Sequence, residues 1–325
     1  MDYRKVNKLT VFDAEPMTNP EEIFSKMQKS KYFSKMDLSK GYWQVNMEDA
    51  SKDMTSFITA EGLYRFRRMP FGLVNAGATF NRMMRKVLNG LEDVENFVDD
   101  IIEHTREWND HMRILRELLQ KLREAGLTVK PSKCKIGYTQ VGFLGHNIGG
   151  GSIRPGDEKT HAIAKSVRPK TKKQVRSFLG LVGYYRKFIP NFSTIAAPLT
   201  DLTKKFKPNL VDWREEHERA FTTLSRAITE SPILCLPDME KGFFLRTDAS
   251  DTGIGAVLLQ DYLGTKFPVS YASRKLLDRE TRYSVIEKEC LGIVWGIQKF
   301  EQYLYGRKFI LQTDHAPLVY LDRLE

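Results

Sequence analysis

Residues 94 to 102 read Val94-Glu95-Asn96-Phe97-Val98-Asp99-Asp100-Ile101-Ile102, an alternating apolar run with two adjacent aspartates near its centre. A third aspartate, Asp37, ends another strand-like run, Lys31-Tyr32-Phe33-Ser34-Lys35-Met36. Side chains alternate along a strand, so neighbouring aspartates at the bend of a β-hairpin cannot both hide on one face. Two close negative charges also repel unless a cation lies beside them. Carboxylates at strand ends therefore suggest a divalent-metal site. Mg²⁺, with Mn²⁺ as an alternative, is the natural ion, because it binds through one or two carboxylates and completes its octahedron with water and phosphate oxygens. Taken alone, an Asp-Asp pair is usually a solvated turn, so the surrounding segments have to decide.

Upstream lies Lys35-Met36-Asp37-Leu38-Ser39-Lys40-Gly41-Tyr42-Trp43-Gln44-Val45, and between it and the hairpin lies Arg68-Met69-Pro70-Phe71-Gly72-Leu73-Val74-Asn75-Ala76. Together with Phe97-Val98-Asp99-Asp100 these segments resemble the palm of a reverse transcriptase from gypsy-type LTR retrotransposons, and the resemblance covers essentially the whole chain. It implies Asp37, Asp99 and Asp100 as the catalytic and metal-binding carboxylates, with Asp100 supporting the site rather than holding both ions. It also implies Tyr42 as an aromatic gate that would collide with a 2′-hydroxyl, and Phe71 and Gly72 as lining for the incoming nucleotide and the template base.

Bulk properties agree with that class. The 325 residues are 41% hydrophobic, enough for two or three units that each bury a core. Lys and Arg outnumber Asp and Glu by 51 to 41, a formal charge of +10 that favours polyanionic partners, nucleic acid first among them. Cys134, Cys235 and Cys290 are odd in number, far apart and without Cys-x-x-Cys spacing, which points away from a zinc site or a disulfide framework and fits a reducing intracellular setting. No apolar run approaches the ~18 residues of a membrane span, no signal-peptide core stands at the N-terminus, and no array repeat recurs.

Along the chain, residues 75 to 90 predict a helix with Asn75 as its cap and Phe80, Met83, Met84, Val87 and Leu88 at helical spacing. A second helix is expected from Glu107 to Ala125, with a stripe of Trp108, Met112, Leu115, Leu118, Leu119 and Leu122, stopped by Gly126. Val141-Gly142-Phe143-Leu144-Gly145-His146-Asn147-Ile148 reads as a glycine-containing strand followed by a turn at Gly149-Gly150-Gly151. This stretch resembles the family's primer grip, which would make Phe143 and Gly145 substrate contacts; the residues alone also allow a plain loop. From Thr171 a capping box, Thr171 to Gln174, opens a helix bearing Val175, Phe178, Leu179, Val182 and Tyr185 on one side. Lys170, Lys172, Lys173, Arg176, Arg186 and Lys187 crowd the same segment, and Gly180 and Gly183 open a groove beside Tyr184 and Tyr185. Such charge is usually a solvated face. The segment resembles the thumb helix that tracks the primer-template, where Lys172, Lys173 and Arg176 would contact phosphates without sequence choice and Gly183 would admit the duplex. Residues 200 to 240 read as a linker with a small connecting helix.

A second carboxylate set follows. Phe243-Phe244-Leu245-Arg246-Thr247-Asp248 and Phe309-Ile310-Leu311-Gln312-Thr313-Asp314 share one pattern, so parallel pairing would bring both aspartates to one end. Gly253 to Gln260 and Phe267 to Ala272 read as further strands, and Thr281 to Tyr303 as a long helix. Periodicity does not separate Glu287 from Glu289 on that helix. The region resembles a ribonuclease H domain of gypsy-type elements through Thr247-Asp248-Ala249-Ser250, Ile286-Glu287-Lys288-Glu289-Cys290-Leu291 and Thr313-Asp314-His315, and that resemblance selects Asp248, Glu289 and Asp314 as catalytic metal ligands.

The fold implied is α+β, a polymerase palm with partial fingers over residues 1–155 and a helical thumb over 156–205. A linker or connection would follow over 206–240, then an α/β ribonuclease H-like domain over 241–325, incomplete at its C-terminus. The function implied is an RNA-directed DNA polymerase with ribonuclease H activity from a retrotransposon Pol polyprotein. It would act by two-metal phosphoryl transfer on RNA and DNA primer-template, RNA–DNA hybrid and deoxynucleoside triphosphates, with a homodimer or other Pol segments as protein partners and no membrane. The alternative is a catalytically impaired, truncated or domesticated nucleic-acid-binding remnant of such an element. The expected setting is the cytoplasm, including virus-like particles. Against the family pattern, Met1-Asp2-Tyr3-Arg4-Lys5 begins where a relative is already inside its fingers, so the triphosphate-binding basic residues would lie upstream. The chain also stops about ten residues past Asp314, before a further helix, strand and fourth acidic ligand would be expected. Phe97 replaces a commoner Tyr, and Gly292 a commoner Ala.

Overall fold

The computed structural model describes residues 1–230 and 232–314, and the chain divides into two compact units that meet in sequence between Phe143 and Leu144. The first unit contains α1 (Arg4–Leu9), α2 (Pro20–Lys26), β1 (Tyr32–Asp37), α3 (Asp49–Lys52), β2 (Phe57–Thr59), β3 (Gly62–Tyr64), α4 (Ala76–Leu88), β4 (Val94–Phe97), β5 (Asp100–Thr105), α5 (Trp108–Glu124), β6 (Lys135–Tyr138) and β7 (Gln140–Phe143). Its central sheet runs β4-β5-β1-β6, with every neighbouring pair antiparallel. Two amphipathic helices, α4 and α5, complete the core. Ala76, Phe80, Met84 and Leu88 of α4 and Ile114, Leu115, Leu118 and Leu122 of α5 are buried together with Met36, Leu38 and Ile101 of the strands and their ends. Helical spacing explains both faces. In α5 the expected stripe is shifted: Trp108 and Leu119 are exposed, while His111 and Ile114 take their places inside.

The second unit contains β8 (His146–Gly149), β9 (Ser152–Pro155), α6 (Asp157–Ala164), α7 (Lys172–Tyr184), α8 (Phe192–Leu202), α9 (Glu215–Thr229), β10 (Leu234–Cys235), β11 (Phe243–Ala249), β12 (Gly253–Tyr262), β13 (Thr265–Lys275), α10 (Val285–Lys299), α11 (Glu301–Leu304) and β14 (Phe309–Gln312). The segment expected to be mostly linker instead carries α9, a full amphipathic helix. It buries His217, Ala220, Leu224 and Ile228 and packs on α6, α7 and α8, with the Phe178 and Phe221 rings 4.6 Å apart. The glycine-containing stretch is likewise not one strand. It stops at Phe143, turns through Leu144 (φ 46°) and Gly145 (φ 71°), and restarts at His146. The tight turn at Gly150-Gly151 then joins β8 to β9 as expected.

The last sheet runs β13-β12-β11-β14. Its first three strands are antiparallel, and β14 lies parallel to β11 in the register Phe243 to Phe309 through Arg246 to Gln312. Helix α10 packs on β11 and β12, and it begins later than expected. Ser284 and Glu287 form a capping box, so the helix starts at Val285, and it breaks at Phe300. The signal was present as Ser284-x-x-Glu287. Gly296 is what lets the helix sit down on the sheet: a Cβ there would come within 3.0 Å of the Thr247 methyl and 3.4 Å of the Ala256 methyl.

Behind the sheet of the first unit lies a buried polar group. Glu103 of β5 has no exposed side-chain surface and approaches His111 Nδ1 at 3.3 Å. His111 Nε2 lies 2.7 Å from Ser34 Oγ, and Thr105 Oγ1 lies 2.9 Å from Nδ1. Burial, reinforced by Asp93, pushes the Glu103 carboxyl up to about 8, and burial pushes neighbouring His104 down to about 4. A carboxyl raised in the folded state binds its proton more tightly there than in the unfolded chain, so its contribution is lost as pH rises toward 8. A histidine lowered in the folded state gives the opposite slope between about 4 and 6.5, and nothing further above it. Between pH 6.5 and 8.5, therefore, stability should fall with rising pH, by at most about 1.4 kcal/mol per pH unit. Melting temperatures of wild type and Glu103→Gln across that window check this. The variant should show a flatter profile, and an identical slope would remove Glu103 as the titrating group.

Candidate active sites

In the first unit the two strands that carry the acids are paired so that Asp37 stands opposite Asp100, and the backbone N–H of Leu38 donates to Asp99 O at 3.0 Å. Asp99 occupies the turn between β4 and β5, preceded by Val98 at φ 55°. A β-branched residue in the left-handed region costs roughly 1–3 kcal/mol, which the flanking pairing must hold in place. Gly41 (φ 42°) passes so close that a Cβ would stand 3.5 Å from Asp99 Oδ2. The three half-buried carboxylates are thus gathered at one sheet end. Burial raises the Asp99 carboxyl above the usual range, and Asp100 and Asp37 raise it further, while Lys133 works against them.

Two lysines that the sequence reading overlooked hold the other acids. Lys133 Nζ donates to Asp37 Oδ2 at 2.9 Å, and Lys35 Nζ lies 3.2 Å from Asp100. Each ammonium stands in for the kind of cation that this donor set suits, three hard oxygen ligands in a negative field that they do not neutralise among themselves. The side chains are not drawn to a single point: among the described residues no three His, Cys, Asp or Glu groups converge as a ready-made metal cluster.

Beside Asp99 lies an aromatic wall. The Tyr42 ring is 5.3 Å from Phe71 and 5.4 Å from Phe80, and Phe71 is 6.0 Å from Trp43. Burial, then the nearby Asp99 charge, raises the Tyr42 hydroxyl, so it stays a neutral donor. Phe71 is 57% exposed and Gly72 has φ 97°, so this segment presents a ring and a bare backbone outward beside the carboxylates. Asn75 does not cap α4 with its side chain. Its amide instead bonds the backbone at Val11 and Asp13.

In the second unit Tyr184 and Tyr185 donate to Leu144 O and Gly145 O, both at 2.7 Å, and the His146 ring lies against Tyr184, Tyr185 and Phe188. Burial drives His146 down to about 3 and the Tyr185 hydroxyl up to about 12, so both stay neutral. Tyr185 is fully buried, as are Val175 and Val182 on the same apolar side, and its hydroxyl braces the turn. Phe143, expected as a substrate contact, is completely buried. On α7 nothing lies within 4 Å of where a Cβ on Gly180 or Gly183 would be, which leaves an open strip. Of the basic residues on that helix, Lys172 donates to Lys205 O and Arg176 to Thr203 O, in the turn that follows α8, while Lys173 is exposed.

The second acidic set is divided by depth. Asp248 lies at the exposed end of β11. Its parallel partner β14 ends at Gln312, and Asp314, two residues further on, is exposed. Glu289 is buried, with Oε1 accepting from the Ala249 N–H at 3.2 Å, next to Asp248. Glu287 is exposed and tied to the Ser284 cap. Hydrogen bonding thus separates the two glutamates that periodicity left equivalent. Lys288 reaches Asp251 at 2.9 Å. His315 and the rest of the C-terminal segment lie outside the described residues.

Comparison with known proteins meets this geometry. Residues 1–148 match the family described as reverse transcriptase (RNA-dependent DNA polymerase), and residues 213–311 match the RNase H-like domain found in reverse transcriptase. The Pol polyprotein of the Drosophila melanogaster transposon 297 is 42% identical over 327 aligned positions, covering all of this chain and 30% of the polyprotein. That of the D. melanogaster transposon gypsy is 36% identical, with 98% of this chain and 32% of the polyprotein covered. The chain thus spans less than a third of the transposon 297 polyprotein. Among solved structures, a foamy viral protease-reverse transcriptase in complex with double-stranded DNA superposes with a TM-score of 0.91 at 26% identity, covering 100% of this chain and 57% of that one. The same viral enzyme in complex with RNA/DNA hybrid gives 0.87 at 26% identity, covering 99% and 44%. The chain belongs to the reverse transcriptase and ribonuclease H region of the gypsy-type LTR retrotransposon Pol polyproteins.

Proposed function

We propose that this chain extends a primer with deoxynucleotides on an RNA or DNA template and cleaves the RNA strand of RNA–DNA hybrids, using two-metal phosphoryl transfer at both sites. The observation that carries the reading is the pairing of Asp37 with Asp100 around the Asp99 turn, beside the wall of Tyr42 and Phe71. Nucleic-acid partners are supported by the formal charge of +10 and by the DNA and RNA/DNA hybrid held by the structurally similar viral enzymes. We assign residues 1–155 to fingers and palm, 156–205 to the thumb, 206–240 to the connection and 241–325 to the ribonuclease H-like domain, in an intracellular setting that includes virus-like particles.

Mg²⁺ ions, when bound, would lower the pKa of the attacking hydroxyl and offset charge on the leaving phosphate oxygens. Asp37 and Asp99 would hold them, with Asp100 kept in place by Lys35. The Lys133 ammonium would move off Asp37 as the stronger cation arrives. Tyr42, braced by Phe80 and Phe71, would set the floor under the sugar and exclude a 2′-hydroxyl. In the second site Glu289, fixed by the Ala249 N–H, would be the inner ligand and Asp248 and Asp314 the outer ones. Lys173 would contact phosphate directly, while Lys172 and Arg176 hold the thumb helix against α8.

Asp99→Asn removes a carboxylate charge and no phosphate contact, so Mg²⁺-dependent primer extension should drop at least about a hundredfold, the scale expected when preorganised charge stabilisation is lost. Binding to primer-template, followed by fluorescence anisotropy, should change less than twofold. Extension at the wild-type rate by the variant would sink the polymerase reading. Retained binding by a wild-type chain that never extends would favour the non-catalytic remnant.

Tyr42→Ala should raise the ratio of ribonucleotide to deoxynucleotide incorporation by about tenfold or more, because the proposed collision with the 2′-hydroxyl disappears. The ratio is read from single-nucleotide extension with each substrate in turn. An unchanged ratio would take Tyr42 out of the gate.

A further inference from the structure

Phe71 poses a positioning problem. Its ring is more than half exposed, and the segment from Phe71 to Asn75 forms neither helix nor strand, so burial does not fix it. Two asparagine amides do. The Asn7 side chain donates through Nδ2 to Gly72 O at 2.9 Å and accepts through Oδ1 from the Val74 N–H at 2.9 Å. Asn75 returns the arrangement: Nδ2 donates to Val11 O at 2.8 Å, and Oδ1 accepts from the Asp13 N–H at 3.1 Å. Each amide uses its donor and its acceptor on the backbone of the other's segment, the pairing that a planar carboxamide can make and that a carboxylate or a hydroxyl cannot reproduce.

The N-terminal segment is itself anchored. Arg82 of α4 reaches Asp13 at 2.7 Å and Glu15 at 3.2 Å, and Arg85 reaches Glu15 at 2.9 Å. Tyr3 is buried, with its ring 3.4 Å from where a Cβ on Gly72 would stand. Rigid helix, ion pairs, N-terminal segment, amide bracket and loop therefore form one continuous path that ends at the ring facing Tyr42 and Trp43.

We infer that Asn7 and Asn75 are positioning residues for the incoming nucleotide, acting by holding the Phe71–Val74 backbone at a fixed place beside Tyr42. The inference rests on the reading of Phe71 and Gly72 as nucleotide lining. Loosening the bracket lets the ring and the bare Gly72 backbone shift while the carboxylates stay where they are. The cost then falls on nucleotide capture and not on primer-template binding or on metal binding. Misplacement of a binding group by a fraction of an ångström to an ångström is commonly worth tenfold or more.

The test uses the full chain and four forms: wild type, Asn7→Ala, Asn7→Asp and Phe71→Ala. Asn7→Asp retains an acceptor for Val74 and loses the donor to Gly72. At saturating primer-template, Asn7→Ala should raise the KM for deoxynucleotide about tenfold with kcat changed less than threefold and primer-template Kd within twofold, and Asn7→Asp should fall between it and wild type. Hydrogen exchange supplies a readout independent of turnover: the Val74 amide should exchange at least about tenfold faster in Asn7→Ala, with melting temperature nearly unchanged. If Asn7→Ala does not fold, Asn7→Asp is judged by the same two measurements. An unchanged KM in the Asn7 variants with a raised KM in Phe71→Ala overturns the bracket and keeps the nucleotide reading of the loop. An unchanged KM in Phe71→Ala overturns that reading and the inference with it. Unaltered Val74 exchange in Asn7→Ala overturns the inference whatever the kinetics.

Discussion

The antiparallel pairing of β1 with β5 is the constraint on which the first unit depends. It runs from Tyr32 opposite Thr105 to Asp37 opposite Asp100, with no slip between. A shift of one residue would turn Met36 and Ile101 out of the core and Asp37 and Asp100 away from their shared end. Both faces of β5 are buried from Ile101 to Thr105, so packing on the two sides holds the register, and the register places the acids. The packing of α4 and α5 behind the sheet and the left-handed Val98 in the turn both follow from keeping that alignment. In the second unit an in-register parallel pair, β11 with β14, aligns the two repeated apolar runs Phe243–Arg246 and Phe309–Gln312.

Much of this was legible in the chain. The acidic hairpin, the amphipathic faces of α4 and α5, the capping box at Thr171 and the parallel Thr-Asp strands all follow from local periodicity and turn chemistry, which act over a few residues. What was not legible depends on contacts distant in sequence. Lys133 on Asp37 and Asn7 on Gly72 join residues far apart in the chain, and no pattern of alternation or spacing marks them. Asn75 carried a misleading local signal, since an asparagine ahead of a helix usually caps it, and here a long-range bracket takes the amide instead. The helix α9 was underestimated because prolines and charges around it drew attention to breaks while its buried face, His217 to Ile228, went uncounted.

The two acidic sites differ in how charge is handled. The first keeps its aspartates half-buried and pairs two of them with lysines. The second site places one acid deep and two shallow, with a backbone N–H on the deep one. A buried carboxylate held by an N–H is stiff, whereas an exposed one at a strand end can swing. The first arrangement balances its acids with ammonium groups, the second fixes one acid on a backbone N–H.

The seat of α10 works as a ruler. Its axis lies at a depth set where Gly296 meets the Thr247 and Ala256 methyls, and Glu289 is carried on the same rigid rod two turns away. Any side chain at 296 acts as a shim that lifts this end and tilts the rod, altering how far the inner acid reaches toward Ala249. The placing of Glu289 can thus be adjusted from a position that bears no charge and meets only the Thr247, Ala256 and Leu245 side chains.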